Sequence, residues 1–235
     1  IFEKALPQVL EFKSPRTWAF TVVGTLAYLR RFSGDSEVRR IHEKLAGKLL
    51  IQYKNNASDD WPWIEDTINY ANGKIPQALI MSGSYLHQPE MLQAGLDCLK
   101  WLVEIQTDTK GHFVPIGNKG WYKRGGEKAR FDQQPLEAFH IIEACREAYR
   151  ATNDLMWLKH AQNCIEWFLG RNDLNTPLYD HNTGGCYDGL QATGPNLNQG
   201  AESTLVCFLS LLTFNQLRIH QISVDAIEQT NQLKK

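Results

Sequence analysis

Two kinds of helical pattern alternate along this chain, and that alternation limits the possible folds more than any other feature. Ser14-Pro15 predicts a helix start, with a capping hydroxyl and proline at the first helical position. The helix from Arg16 to about Phe32 is apolar on nearly every face (Trp18, Phe20, Val22, Val23, Leu26, Tyr28), the mark of a buried helix. After Ser33-Gly34-Asp35, the segment from Ser36 to about Tyr53 carries one apolar stripe, Val38, Ile41, Leu45, Leu49 and Tyr53. Glu37, Arg40, Glu43, Lys44 and Lys48 fill its other side, as in an outer helix with one face in water.

The pair recurs. Pro76 opens an apolar helix to about Tyr85, and Gln88-Pro89 opens the next, to about Gln106. Pro135 opens a helix to about Thr152, and Asn153-Asp154 starts an amphipathic one to Leu169 with Leu155, Leu158, Ala161, Ile165 and Phe168 inward. Gly200 begins another nearly all-apolar helix, and a weaker last one is predicted from about Val224. No convincing strand pattern appears, and residues 1–13 have no clear assignment. The expectation is an all-α single domain over residues 1–235, with about four helical hairpins repeating at roughly 50 to 65 residues. Such hairpins stack side by side and curve, placing every inner-helix start and every long loop at one end.

Three long loops then demand an account. Trp61 to Pro76, Gly111 to Glu137 and Tyr179 to Glu202 are rich in aromatics, glycines and amides. Long loops in a compact domain are functional or disordered, and their aromatics argue against disorder. The starts of two inner helices also align, Gln134-Pro135-Leu136-Glu137-Ala138 against Gln199-Gly200-Ala201-Glu202-Ser203, which puts Glu137 and Glu202 in equivalent first turns.

Composition narrows the partners. A formal charge of -1 gives no attraction for nucleic acid or anionic membranes, and no apolar run reaches the roughly 20 residues of a spanning helix. Five cysteines without a CxxC pair predict reduced thiols and a cytoplasmic location. The chain starts at Ile1 rather than a methionine, in keeping with a segment of something longer.

The runs WPWIEDTINYANGKIPQALI, FDQQPLEA, GGCYDGL and NLNQGAEST, in this order, resemble the α/α-toroid, or six-hairpin, superfamily of carbohydrate-active proteins. More narrowly they resemble a helical domain that accompanies bacterial family-four retaining glycosyltransferases. The likeness runs from about Ser14 to Phe214. It implies sugar binding at the mouth formed by inner-helix N-termini, with a saccharide or glycoconjugate as partner and a glycosyltransferase domain as a further one. Four hairpins against the superfamily's six imply an open or incomplete ring.

Sugars present apolar ring faces edged with hydroxyls. The loops offer Trp61, Trp63, Tyr70, Phe113, Trp121 and Tyr122 beside Asn69, Asn72, Gln133, Gln134, Asn196 and Asn198; the plainer reading is that the aromatics pack the loops. Glycosidic cleavage needs two carboxyl groups. Glu65 or Asp66, following Trp61-Pro62-Trp63, suits an acid whose pKa an apolar setting raises. Asp132 or Glu202 suits a base, Glu202 because a helix N-terminus favours the charged form. Trp61, Trp63, Tyr70, Asn72, His112, Trp121, Gln133, Gln134, Glu137, Asp188 and Asn198 are the candidate sugar contacts. The plainer readings are a helix cap for Asp132, first-turn charge compensation for Glu137 and Glu202, and a surface carboxylate for Glu65.

Lys123, Arg124, Lys128 and Arg130 make the central loop basic, fit for a phosphate or uronate or simply solvated. Gly125-Gly126 lacks the spacing of a phosphate loop. His181 and Cys186 do not make a zinc set, so no metal and no cofactor is expected. The rival functions are a non-catalytic glycan-binding or scaffolding module, and a sugar epimerase using His112 and His140 as acid and base. No GxSxG elbow marks a serine hydrolase.

Overall fold

The computed structural model describes residues 2–232. A lead-in of α1 (Phe2–Ala5) and a 3-10 turn (Leu6–Glu11) precedes three helical hairpins. These are α2 (Pro15–Arg31) with α3 (Ser36–Asn56), α4 (Lys74–Tyr85) with α5 (Pro89–Ile105), and α6 (Pro135–Thr152) with α7 (Met156–Phe168). A long helix, α8 (Ala201–Gln232), follows. Helices α2, α4, α6 and α8 pack against one another in that order as an inner row, with α3, α5 and α7 layered outside it. Among the described residues no helix is long and apolar enough to cross a membrane.

The start signals work as the sequence predicts. Pro15, Pro89 and Pro135 occupy first turns, where a missing N–H breaks no helical bond. Ser14 and Asp35 cap α2 and α3 by accepting from Thr17 N and Val38 N. Helix α3 buries Val38, Ile41, Leu45 and Leu49, the stripe read from the sequence. All five cysteines are free and buried.

Four expectations change. Residues 201–232 form one continuous helix, so the separate helix from about Val224, and with it the fourth hairpin, is absent from the described residues. Helix α2 is not buried all round: Phe20 is 46% exposed. Only the middle helices of the row approach full burial, with α4 covered from Lys74 to Gly83. Helices α2 and α8 flank the row, and α8 leaves Leu205, Phe208, Leu212 and Ile219 exposed along one stripe. Leu155 precedes α7 rather than facing inward and is exposed. Lastly, short strands do occur, in the loops: β1 (Thr67–Ile68) pairs antiparallel with β2 (Tyr122–Lys123), and β3 (Gly189–Gln191) with β4 (Gly194–Asn196).

The row is tight where the loops meet it. A Cβ on Gly73, just before α4, would stand 2.3 Å from the His140 carbonyl oxygen in α6. Gly73→Ala therefore forces two backbones apart. It is expected to cost on the order of 1–3 kcal/mol in chemical denaturation while leaving the helical circular dichroism intact.

Candidate active site

The inner-helix starts lie at one end, and the central loop is the seam that joins their loops. On one side it pairs with the first loop through β1 and β2. On the other, Gln133 and Leu190 exchange both backbone hydrogen bonds at 2.9 Å, tying it to the third loop. Gly189 permits this approach, since a Cβ there would come within 2.5 Å of the Gln133 carbonyl oxygen.

Where the central and third loops join, a cavity of about 420 Å³ opens at the starts of α6 and α8. Asp132, Gln133 and Gln134 line it from the α6 side, and Gly200, Ala201, Glu202 and Ser203 from the α8 side. Asn118, Asp188, Gly189, Gln191 and Asn196 complete the wall. Five of the predicted site residues, Asp132, Gln133, Gln134, Asp188 and Glu202, thus share one pocket. The side chains of Asp132 and Glu202 have no hydrogen-bond or ion-pair partner among the described residues. Asp188 is held: it accepts from Asn198 Nδ2, from Gly200 N at 2.8 Å and from Ser203. Burial opposes its charge, but these donors win and keep its carboxyl below the ordinary range. Asn198 supports the site through that bond.

Behind the wall, Gln133 is fully buried and every polar atom of its side chain is used. Its Oε1 accepts from Trp167 Nε1 at 2.7 Å, and its Nε2 donates to Asp173 Oδ2 at 2.8 Å and to the Arg130 carbonyl at 3.0 Å. Asp173 also takes Arg130 and His112, the latter at 2.9 Å. Asp108, His112 and Asp173 therefore bring three ligand-type groups together. Arg130 bonds to both carboxylates and stands where a cation would, so the cluster is satisfied as an ion-pair hub. His112 belongs to this hub rather than to the pocket.

The remaining predicted contacts lie elsewhere, for identifiable reasons. Trp61 and Trp63 are 3% and 0% exposed. They pack on Trp101 of α5, and Trp61 also meets the Tyr122 ring at 5.1 Å, so the packing reading holds for both. Glu65 pairs with the buried Arg16 at 2.5 Å, and Asp66 lies on the surface beside Arg124. Neither lines the pocket, and both are corrected as candidate acids. Tyr70 is half exposed with Arg16 over its ring, and Trp121 supports a turn of the central loop through its backbone. Among the described residues no aromatic lines the cavity.

Glu137 and Asn72 are corrected too. Glu137 shares the first-turn setting of Glu202 but is 1% exposed, because the first loop covers the α6 start. It accepts from Ala71 N at 2.5 Å and Asn72 Nδ2 at 2.8 Å, clamping that loop to α6. His140 is buried in α6, away from His112, so the two do not face a common pocket. The residues sequence reasoning missed are Asn118, Gln191, Ser203, Asp173 and Arg16. Arg16 alone had a usable signal, a lone cation in the first turn of an otherwise apolar helix.

Two measurements test this framework. Gln133→Ala would leave the Trp167 indole N–H and part of Asp173 without partners, and is expected to lower unfolding free energy by roughly 1–3 kcal/mol. Burial pushes the Glu137 carboxyl up to about 7, against the pull of the Asn72 and Ala71 donors and Arg16. Because the native pKa lies above the unfolded one, stability from this group is full below pH 4.5 and is lost as pH rises through about 7. Relative to Glu137→Gln, the wild type should lose roughly 3 kcal/mol across that window, at 1.36 kcal/mol per pH unit. Denaturation curves at pH 4.5 and 8 that shift in parallel for both proteins would refute it.

No protein-family model matches the chain, and no curated protein matches it. Solved structures do. An unsaturated glucuronyl hydrolase specific for heparin superposes with a TM-score of 0.58 at 14% identity, over 80% of this chain and 52% of that one. A glycoside hydrolase family 76 mannosidase from Bacteroides thetaiotaomicron superposes with a TM-score of 0.53 at 11% identity, over 92% of this chain and 58% of that one. The chain spans little more than half the length of either structure. At these identities the likeness is one of fold, and the fold is that of the α/α-toroid proteins.

Proposed function

We propose that the chain is a carbohydrate-active, glycoside hydrolase-like domain that binds a saccharide in the cavity between the α6 and α8 starts. The observation that carries this reading is the convergence of Asp132 and Glu202, both without counter-ions among the described residues, on a cavity otherwise walled by Asp188, amides and small residues. Amides and a serine hydroxyl suit the ring hydroxyls of a sugar, and a carboxyl pair is what glycosidic hydrolysis requires. Glu202, in the first turn of α8, lies among free backbone N–H groups that favour an anion, and takes the part of base. With Glu65 and Asp66 outside the cavity, Asp132, read from the sequence as a base, is the carboxyl left to act as proton donor. The shared fold of two glycan hydrolases supports the reading by analogy.

The second reading is a glycan-binding module that performs no chemistry, alongside a glycosyltransferase domain. One experiment separates the two. The purified chain is screened against oligosaccharides for binding and for product release. Hydrolysis is expected, falling by about 100-fold or more in Asp132→Asn and in Glu202→Gln without a change in melting temperature. Binding with no product from any substrate would leave the binding module standing in place of the enzyme.

A further inference from the structure

We propose that this cavity takes an uncharged saccharide and turns away glycans bearing ring carboxylates, sulfates or phosphates. The inference rests on the saccharide reading above and adds the substrate's charge class. Every charged residue in the wall is a carboxylate: Asp132, Asp188 and Glu202. The donors on Asp188 are an amide, a backbone N–H and a hydroxyl, all neutral, so its charge is stabilised without being cancelled.

No cation of the central loop lines the cavity: Lys119 and Lys123 are exposed outside its wall, and the others are committed elsewhere. Arg130 binds Asp108 and Asp173. Arg124 reaches the Asn56 carbonyl and Ser58, beside Asp60 and Asp66. Lys128 donates to the Ile105 carbonyl. Beyond the loop, Arg16 holds Glu65 and Arg171 holds Glu166. None of these lines the cavity.

The starts of α6 and α8 contribute positive potential, about half a charge each. With Asp132 holding the proton it donates, Asp188 and Glu202 still leave roughly one negative charge facing the ligand. A uronate or sulfate would enter without the guanidinium or ammonium that normally receives it. Hydroxyl groups, by contrast, find matched partners in Asn118, Gln134, Gln191 and Asn196.

Calorimetric titration of the full chain with matched oligosaccharide pairs tests this. Each pair shares linkage and ring configuration and differs only at C6, hydroxymethyl against carboxylate, as in glucose and glucuronate, mannose and mannuronate, or galactose and galacturonate oligomers. In any pair that binds, the neutral member is expected to bind at least about tenfold more tightly. The gap should narrow at high ionic strength and in Glu202→Gln. A uronate binding as tightly as its neutral partner, or more so, would overturn the charge inference and leave the saccharide site intact. No binding by either member of any pair would remove the saccharide site and this inference together.

Discussion

The candidate pocket depends on one buried amide. Gln133 joins the central loop to the third loop through its backbone and reaches into the helical layer through its side chain, where Trp167 of α7 and Asp173 receive it. An unpaired amide at zero exposure would cost several kcal/mol, and here all of its polar atoms are paired. Asp132 and Gln134, its neighbours, take their positions from it. The site's geometry is thus set from behind, by a residue whose side chain faces away from the cavity it supports.

The same loop shows how ion pairs can shape a site by removing charge from it. Arg130 is claimed by Asp108 and Asp173, and Arg124 by residues at and before the first loop, and none of the loop's cations lines the pocket. Partly exposed pairs of this kind add little stability singly. Their effect here lies in direction: they hold the loop against its neighbours and leave the carboxylates alone at the mouth.

Glu137 and Glu202 illustrate how one local setting can give two roles. Both lie in first turns of inner helices, where free N–H groups attract an anion. The first loop folds over one and makes it a buried clamp; no described residue covers the other, which faces the cavity. Position within the row decides, since α6 has inner helices on both flanks while α8 stands at the edge.

The sequence by itself determined the helices and their ends: apolar periodicity, prolines in first turns and capping Ser14 and Asp35 act over a few residues and need no distant partner. It also placed the long loops at the inner-helix starts, because hairpin alternation allows no other arrangement. That the loop aromatics stay out of the cavity was decided only by tertiary packing. Trp63 and Trp121 look alike in sequence, yet Trp63 meets Trp101 of α5 and is lost to the core, while Trp121 stays partly exposed outside the cavity lining. Glu65 meets Arg16 at a separation of 49 residues, and Arg130 and Gln133 meet Asp173 at 43 and 40. Charge and burial depend on those partners, and no local pattern encodes them.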